Sequence, residues 1–83
     1  MYLHIGQNTT ILSKSIIGIF DLDHSSSSKI TRDFLRIQEQ KHRVINVSDD
    51  LPRSFLICEE QGSIRIYLTQ ISSSTLLRRA AVS

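Results

Sequence analysis

Arg53-Ser54-Phe55-Leu56-Ile57-Cys58-Glu59, then Glu60-Gln61-Gly62, then Ser63-Ile64-Arg65-Ile66-Tyr67-Leu68-Thr69-Gln70, is the stretch that decides the fold. Two runs rich in β-branched and aromatic residues flank a glycine-bearing turn, which is the pattern of a β-hairpin. The second run alternates. Ile64, Ile66 and Leu68 read as inward, and Arg65, Tyr67 and Thr69 as outward. The first run is centred on Phe55 to Cys58. Pro52 precedes it and breaks the chain at Asp49-Asp50-Leu51-Pro52, because proline restricts its predecessor and donates no backbone hydrogen bond.

Working outward, Val44 to Val47 reads as a further strand. Before it, Ile30, Phe34 and Ile37, with Leu35 beside them, recur at helical spacing and predict a helix over about 29–41 with one buried stripe. Ser28 stands where an N-cap would, and Arg32, Arg36, Glu39 and Gln40 take the wet faces. Further back, Ile16 to Leu22 is apolar on both faces, as expected of a strand covered on both sides. Gly18 within it marks a bulge or a close approach. Tyr2 to Ile5 and Thr9 to Leu12 are short strands about the turn Gly6-Gln7-Asn8. After the hairpin, Ser72-Ser73-Ser74 caps a short last helix over about 73–79, and residues 80–83 read as a frayed tail. The fold class is α+β: a small antiparallel-rich sheet, one amphipathic helix and a short C-terminal helix. Residues 1–79 form one domain.

The chain has 83 residues and a formal charge of +2. A chain this short buries only about 60% of its unfolded surface, and small domains without staples often complete their cores by assembling. Cys58 is the lone cysteine, so no internal disulfide forms, and no Cys/His spacing resembles a zinc site. No apolar run approaches the ~20 residues of a membrane span, and the start of the chain lacks the features of a signal peptide. The expectation is a cytoplasmic protein off the membrane. Strands Ile16 to Leu22 and Arg53 to Cys58 carry more apolar residues than one thin core needs, which predicts a homo-oligomer, with a closed ring as its form.

Ile16-Ile17-Gly18-Ile19-Phe20-Asp21-Leu22-Asp23 imitates the strand-plus-Asp-x-Asp motif of phosphotransferases, where one aspartate attacks phosphorus and the other moves a proton. That chemistry needs a lysine, a hydroxyl and further acids from a larger parallel sheet, and His24-Ser25 replaces the usual small turn. The pair therefore reads as strand-end turn formers. His4, His24 and His42 lie in separate elements and read as surface residues, and Cys58 reads as core filler. The expectation is a protein with no catalytic residue, metal, cofactor or small-molecule substrate. Lys29, Arg32 and Arg36 form a stripe on the first helix, with Lys41 to Arg43 at its end. Such a stripe serves either as a solvated face or as a contact for phosphates.

Several pieces in order resemble the RemA/RemB family of bacterial extracellular-matrix regulatory proteins. They are His4-Ile5-Gly6, Ile16 to Asp23, Lys29 to Leu35, Leu51 to Phe55, and Ile71 to Arg79, and the later pieces are most similar to the RemB branch. The resemblance implies a cytoplasmic promoter of biofilm-matrix gene expression, related in fold to a β-rich DNA-binding domain of response regulators. In the RemA branch it implies a ring that binds DNA through outer arginines. Carried over by position, one such arginine falls near Ser15, with Lys14 its basic neighbour. An arginine pair falls at about Asp50-Leu51, and the next basic position is Arg53. An aspartate in place of a cation repels a phosphate by about 1 kcal/mol at about 4 Å in water.

The first expectation is thus a non-enzymatic oligomer presenting Arg53, Lys14, Arg32 and Arg36 to DNA. The second is an assembly module that modulates a RemA-type relative without touching DNA. The third is a phosphotransfer remnant at Asp21 and Asp23.

Overall fold

The computed structural model describes residues 1–22 and 28–82, and the backbone alone at Val82. Asp23, His24 and Ser25 lie outside the described residues, so the Asp-x-Asp reading rests on Asp21 alone. In chain order the elements are β1 (Tyr2–Gly6), β2 (Thr9–Leu12), a single 3-10 turn (Ser13–Ser15), β3 (Ile16–Asp21), α1 (Lys29–Gln40), β4 (Val44–Asn46), β5 (Ser54–Glu60), β6 (Ser63–Thr69) and α2 (Ser73–Val82).

The sequence hairpin is the centre of a four-stranded sheet ordered β3-β5-β6-β4. At its turn both Gln61 (φ 53°) and Gly62 (φ 80°) have positive φ. That is a type I′ turn, whose twist matches the flanking strands. β3 and β5 are antiparallel, as are β5 and β6, whereas β4 runs parallel to β6 with Val44 opposite Ile66. β1 and β2 form a separate antiparallel hairpin.

Each face of the sheet has its own core. α1 covers one face, packing Phe34 and Leu35 over Phe55, Ile57, Ile66 and Leu68. The β1–β2 hairpin and α2 cover the other, setting Leu3, Ile5, Ile11 and Leu76 against Leu56, Cys58 and Tyr67. Tyr67 and Thr69, expected outward, are therefore buried on this second face. The covering elements come from the two ends of the chain, and alternation along β6 says nothing about them. Burial pushes the Cys58 thiol up to about 11, with a Ser15 hydrogen bond opposing and the Glu60 charge adding to the rise. Burial, then the hydrogen bond it donates to Glu60 (2.7 Å), pushes the Tyr67 hydroxyl up to about 12.

Two buried hydroxyls tie the layers together. Thr69 Oγ1 donates to the carbonyl oxygen of Ile5 and accepts from the Ile71 amide at 3.1 Å. Ser54 Oγ donates to the carbonyl oxygen of Ile71. Gly6 takes φ +134°, and a Cβ there would stand 3.0 Å from Val47 Cγ1 and 3.1 Å from Thr69 Oγ1, so the hairpin approaches the sheet only because this residue is glycine.

Other expectations are corrected. Ile16 to Asp21 is the edge strand of the sheet and is only partly covered, Ile16 and Ile19 packing on the core while Ile17 and Phe20 stay exposed. Its bulge between Ile16 and Gly18 leaves Ile17 62% exposed. Phe20 stacks on Phe55 with centroids 5.0 Å apart, and a Cβ on Gly18 would meet that ring at 2.7 Å. On α1 the stripe is narrower than its periodicity implies, since Ile30 is 83% exposed and only Phe34 and Leu35 reach the sheet. Ser28 is the N-cap by position, yet its side chain makes no capping bond. The C-terminal helix does not stop at residue 79. It continues to Val82, and Ala80 packs on the core, so the tail expected to fray is helical up to that point.

Candidate nucleic-acid interface

The four cations named from sequence occupy three places. Arg53 is exposed just before β5, and its backbone is held on both sides: its amide donates to the Thr69 carbonyl (2.8 Å) and its carbonyl accepts from the Leu22 amide (2.9 Å). Its base is thus rigid. The neighbouring loop carries exposed Asp49, Asp50 and Leu51, and the Asp50 amide donates to Ser48 Oγ at 3.0 Å.

Lys14 lies in the 3-10 turn after β2, beside the far end of β5. It shares a groove of about 340 Å³ with Glu59, Glu60 and Gln61. Two carboxylates in that groove offset its charge. β5 has seven residues. At roughly 3.3 Å per residue, Lys14 and Arg53 stand roughly 20 Å apart.

Arg32 and Arg36 are one turn apart on α1 and do share a surface. They line an open groove of about 580 Å³ with Leu35, Glu39 and Gln40. Arg36 also reaches Asp33 at 3.6 Å, and Lys29 reaches the same carboxylate at 3.1 Å. Such exposed pairs contribute at most about 1 kcal/mol and are easily exchanged for a phosphate contact. The chain therefore joins Arg32 to Arg36 but gathers neither of them with Arg53 or Lys14.

A further group lies at the end of α1: sequence reasoning named Lys41 to Arg43 there but missed their meeting with Arg65. α1 ends in a Schellman motif: the His42 amide bonds to Glu39 O (3.0 Å) and the Arg43 amide to Gln38 O (3.0 Å), with His42 in the left-handed region at φ 59°. This reverses the chain into β4, whose parallel pairing sets Arg43 next to Arg65 on β6, with the Ile66 amide bonding to Arg43 O at 2.8 Å. Lys41, His42, Arg43 and Arg65 thereby line one polar groove beside the β5–β6 turn. The signal available in sequence was the Lys41-His42-Arg43 run. Its meeting with Arg65 depends on the β4–β6 register.

Among the described residues no group of three or more His, Cys, Asp or Glu side chains is gathered to hold a metal, and no helix is long and apolar enough to cross a membrane. Asp21 ends β3 opposite Ser54 and is half-buried.

The chain is 35% identical over 80 residues to Extracellular matrix regulatory protein B of Bacillus subtilis (strain 168), an alignment covering 96% of this chain and 90% of that protein. Residues 2–80 match the RemA-like family, described as Extracellular matrix regulatory protein A-like. The chain belongs to the RemA-like family, as its ordered sequence pieces implied.

Proposed function

We propose that this RemA-like chain is a non-enzymatic cytoplasmic regulator of biofilm extracellular-matrix gene expression, acting as a homo-oligomer that contacts DNA through a cationic rim. The observation that carries the reading is the match over residues 2–80 to a family of matrix regulators. Exposed apolar side chains support assembly: Ile17 and Phe20 lie on the edge strand β3, and Ile30 of α1 lines one apolar groove with Phe20. An uncovered strand edge beside such residues is a surface that soluble proteins normally protect or pair.

Arg53 is the principal phosphate contact, on a backbone fixed by two hydrogen bonds. Arg32 and Arg36 add an exposed cationic helix face, and Lys14 adds a weaker contact because Glu59 and Glu60 share its groove. A head-to-tail ring sets opposite ends of neighbouring subunits side by side, which repeats modest contacts around a rim and sums them by avidity. Binding of this kind is weakly sequence-dependent and falls steeply with salt.

The test is a DNA titration at two salt concentrations. Arg53→Ala should weaken binding more than Arg78→Ala, and Asp50→Arg should strengthen it by removing a repulsive charge. Unchanged affinity of Arg53→Ala at low salt, with the oligomer intact, would refute the rim. The exposed Asp49, Asp50 and Leu51 beside Arg53 favour a second reading. In it the chain is an interaction module for a RemA-type relative, and the wild type binds that relative but no DNA.

A further inference from the structure

We propose that the groove between the end of α1 and the β5–β6 turn is a phosphate-binding site for a small phosphorylated molecule, built by Lys41, His42, Arg43, Ser63 and Arg65. This assignment does not depend on the DNA reading, whose principal residue, Arg53, lies at the other end of β5.

Parallel pairing of Val44 with Ile66 puts Arg43 and Arg65 at neighbouring positions of adjacent strands. Like charges in adjacent cross-strand positions are destabilising, and sheets ordinarily avoid them. Lys41 lines the same groove, and no carboxylate lines it. Glu60 pairs across the hairpin from Ser63. Its Oε1 accepts the Tyr67 hydroxyl at 2.7 Å and lies 3.5 Å from Arg65 Nε. That contact engages one edge of the Arg65 guanidinium. Arg43 donates one of its nitrogens to Gln38 Oε1 at 3.2 Å, which steadies the side chain and leaves further donors. The groove therefore presents two braced guanidinium groups and an ammonium around a common space, with His42 and Ser63 as additional polar neighbours.

The shape selects among anions. The groove has a volume of about 350 Å³ and is walled by a helix end on one side and a tight turn on the other. Small-molecule pockets commonly measure about 300 Å³ and above. Arginine forks match the paired oxygens of a phosphate, and Lys41 adds a mobile point charge. His42 holds its place through backbone geometry, since the Schellman motif fixes the chain on both sides of it.

The experiment uses the full chain and two probes, inorganic pyrophosphate and a short DNA duplex, read by backbone amide shifts at low ionic strength. Pyrophosphate should shift the amides of His42, Gly62 and Ser63 saturably. Arg65→Ala and Lys41→Ala, both at exposed side chains, should each weaken it by roughly tenfold, as expected for a lost charged donor. Arg78→Ala should leave it unchanged. Thermal melts of the variants establish that they are folded. Absence of shifts with either probe overturns the site, as does equal pyrophosphate affinity in the wild type and both groove variants. Shifts with the duplex alone overturn the small-molecule assignment and give the groove to a nucleic-acid backbone. Loss of DNA binding in Arg53→Ala with pyrophosphate binding intact separates this site from the rim.

Discussion

Replacing Thr69 with valine keeps the shape of the side chain and removes one oxygen. That oxygen is buried, donates to the carbonyl of Ile5 and accepts from the amide of Ile71. Valine leaves two backbone groups without their side-chain partner. A buried polar group deprived of its partner costs about 1–3 kcal/mol, two such groups about 2–6 kcal/mol, and the added methyl returns up to about 1 kcal/mol, so the net loss is about 1–5 kcal/mol. Against a typical total of 5–15 kcal/mol this is a large fraction. The consequence extends along the chain to the proposed Lys14 contact. Ile5 belongs to β1, and the β1–β2 hairpin leads into the turn that carries Lys14. Urea unfolding at one fixed protein concentration measures the effect, so that any self-association weighs equally on wild type and variant. Amide exchange in β1 should rise more than in β5. A loss below about 0.5 kcal/mol with unchanged β1 exchange would refute the idea that Thr69 fastens the hairpin to the sheet.

His42→Gly should stabilise the protein by about 1 kcal/mol, since His42 sits at φ 59° where glycine has no Cβ penalty; a lower urea midpoint would contradict this. Cys58 and Tyr67 are held neutral in the folded chain, to about 11 and about 12, while the unfolded chain releases both protons earlier. Their stabilisation is thus fully present below about pH 9 and is lost as pH rises through about 11 and then 12. Unfolding midpoints measured between neutral pH and pH 11 should fall, and native Cys58 should resist thiol alkylation at neutral pH. If the proposed oligomer pairs through β3, Ile17→Lys should dissociate it, because a residue 62% exposed in the single chain would place a charge in the contact; an unchanged sedimentation coefficient would contradict a contact through β3.

Local physics made much of this protein legible from its residues alone. The β5–β6 hairpin follows from two β-branched runs and a Gln61-Gly62 turn that the structure finds with both φ values positive. α1 follows from periodicity, and α2 from its serine caps, where Ser72 Oγ accepts from the Thr75 amide at 3.3 Å. The isolated cations Arg53, Lys14, Arg32 and Arg36 were visible for the same reason, since charge and exposure are written residue by residue. What covers each element was not. Tyr67 and Thr69 look outward in β6 until the β1–β2 hairpin arrives from some sixty residues away, bonding Ile5 to Thr69. Ile30 keeps the period of a buried stripe, but the sheet beneath α1 reaches only Phe34 and Leu35. Arg43 and Arg65 become neighbours solely through the parallel register of β4 on β6. Those outcomes belong to the tertiary structure, because long-range register and facial burial are settled by how distant surfaces pack, and no local pattern of side chains encodes which surface will be facing them.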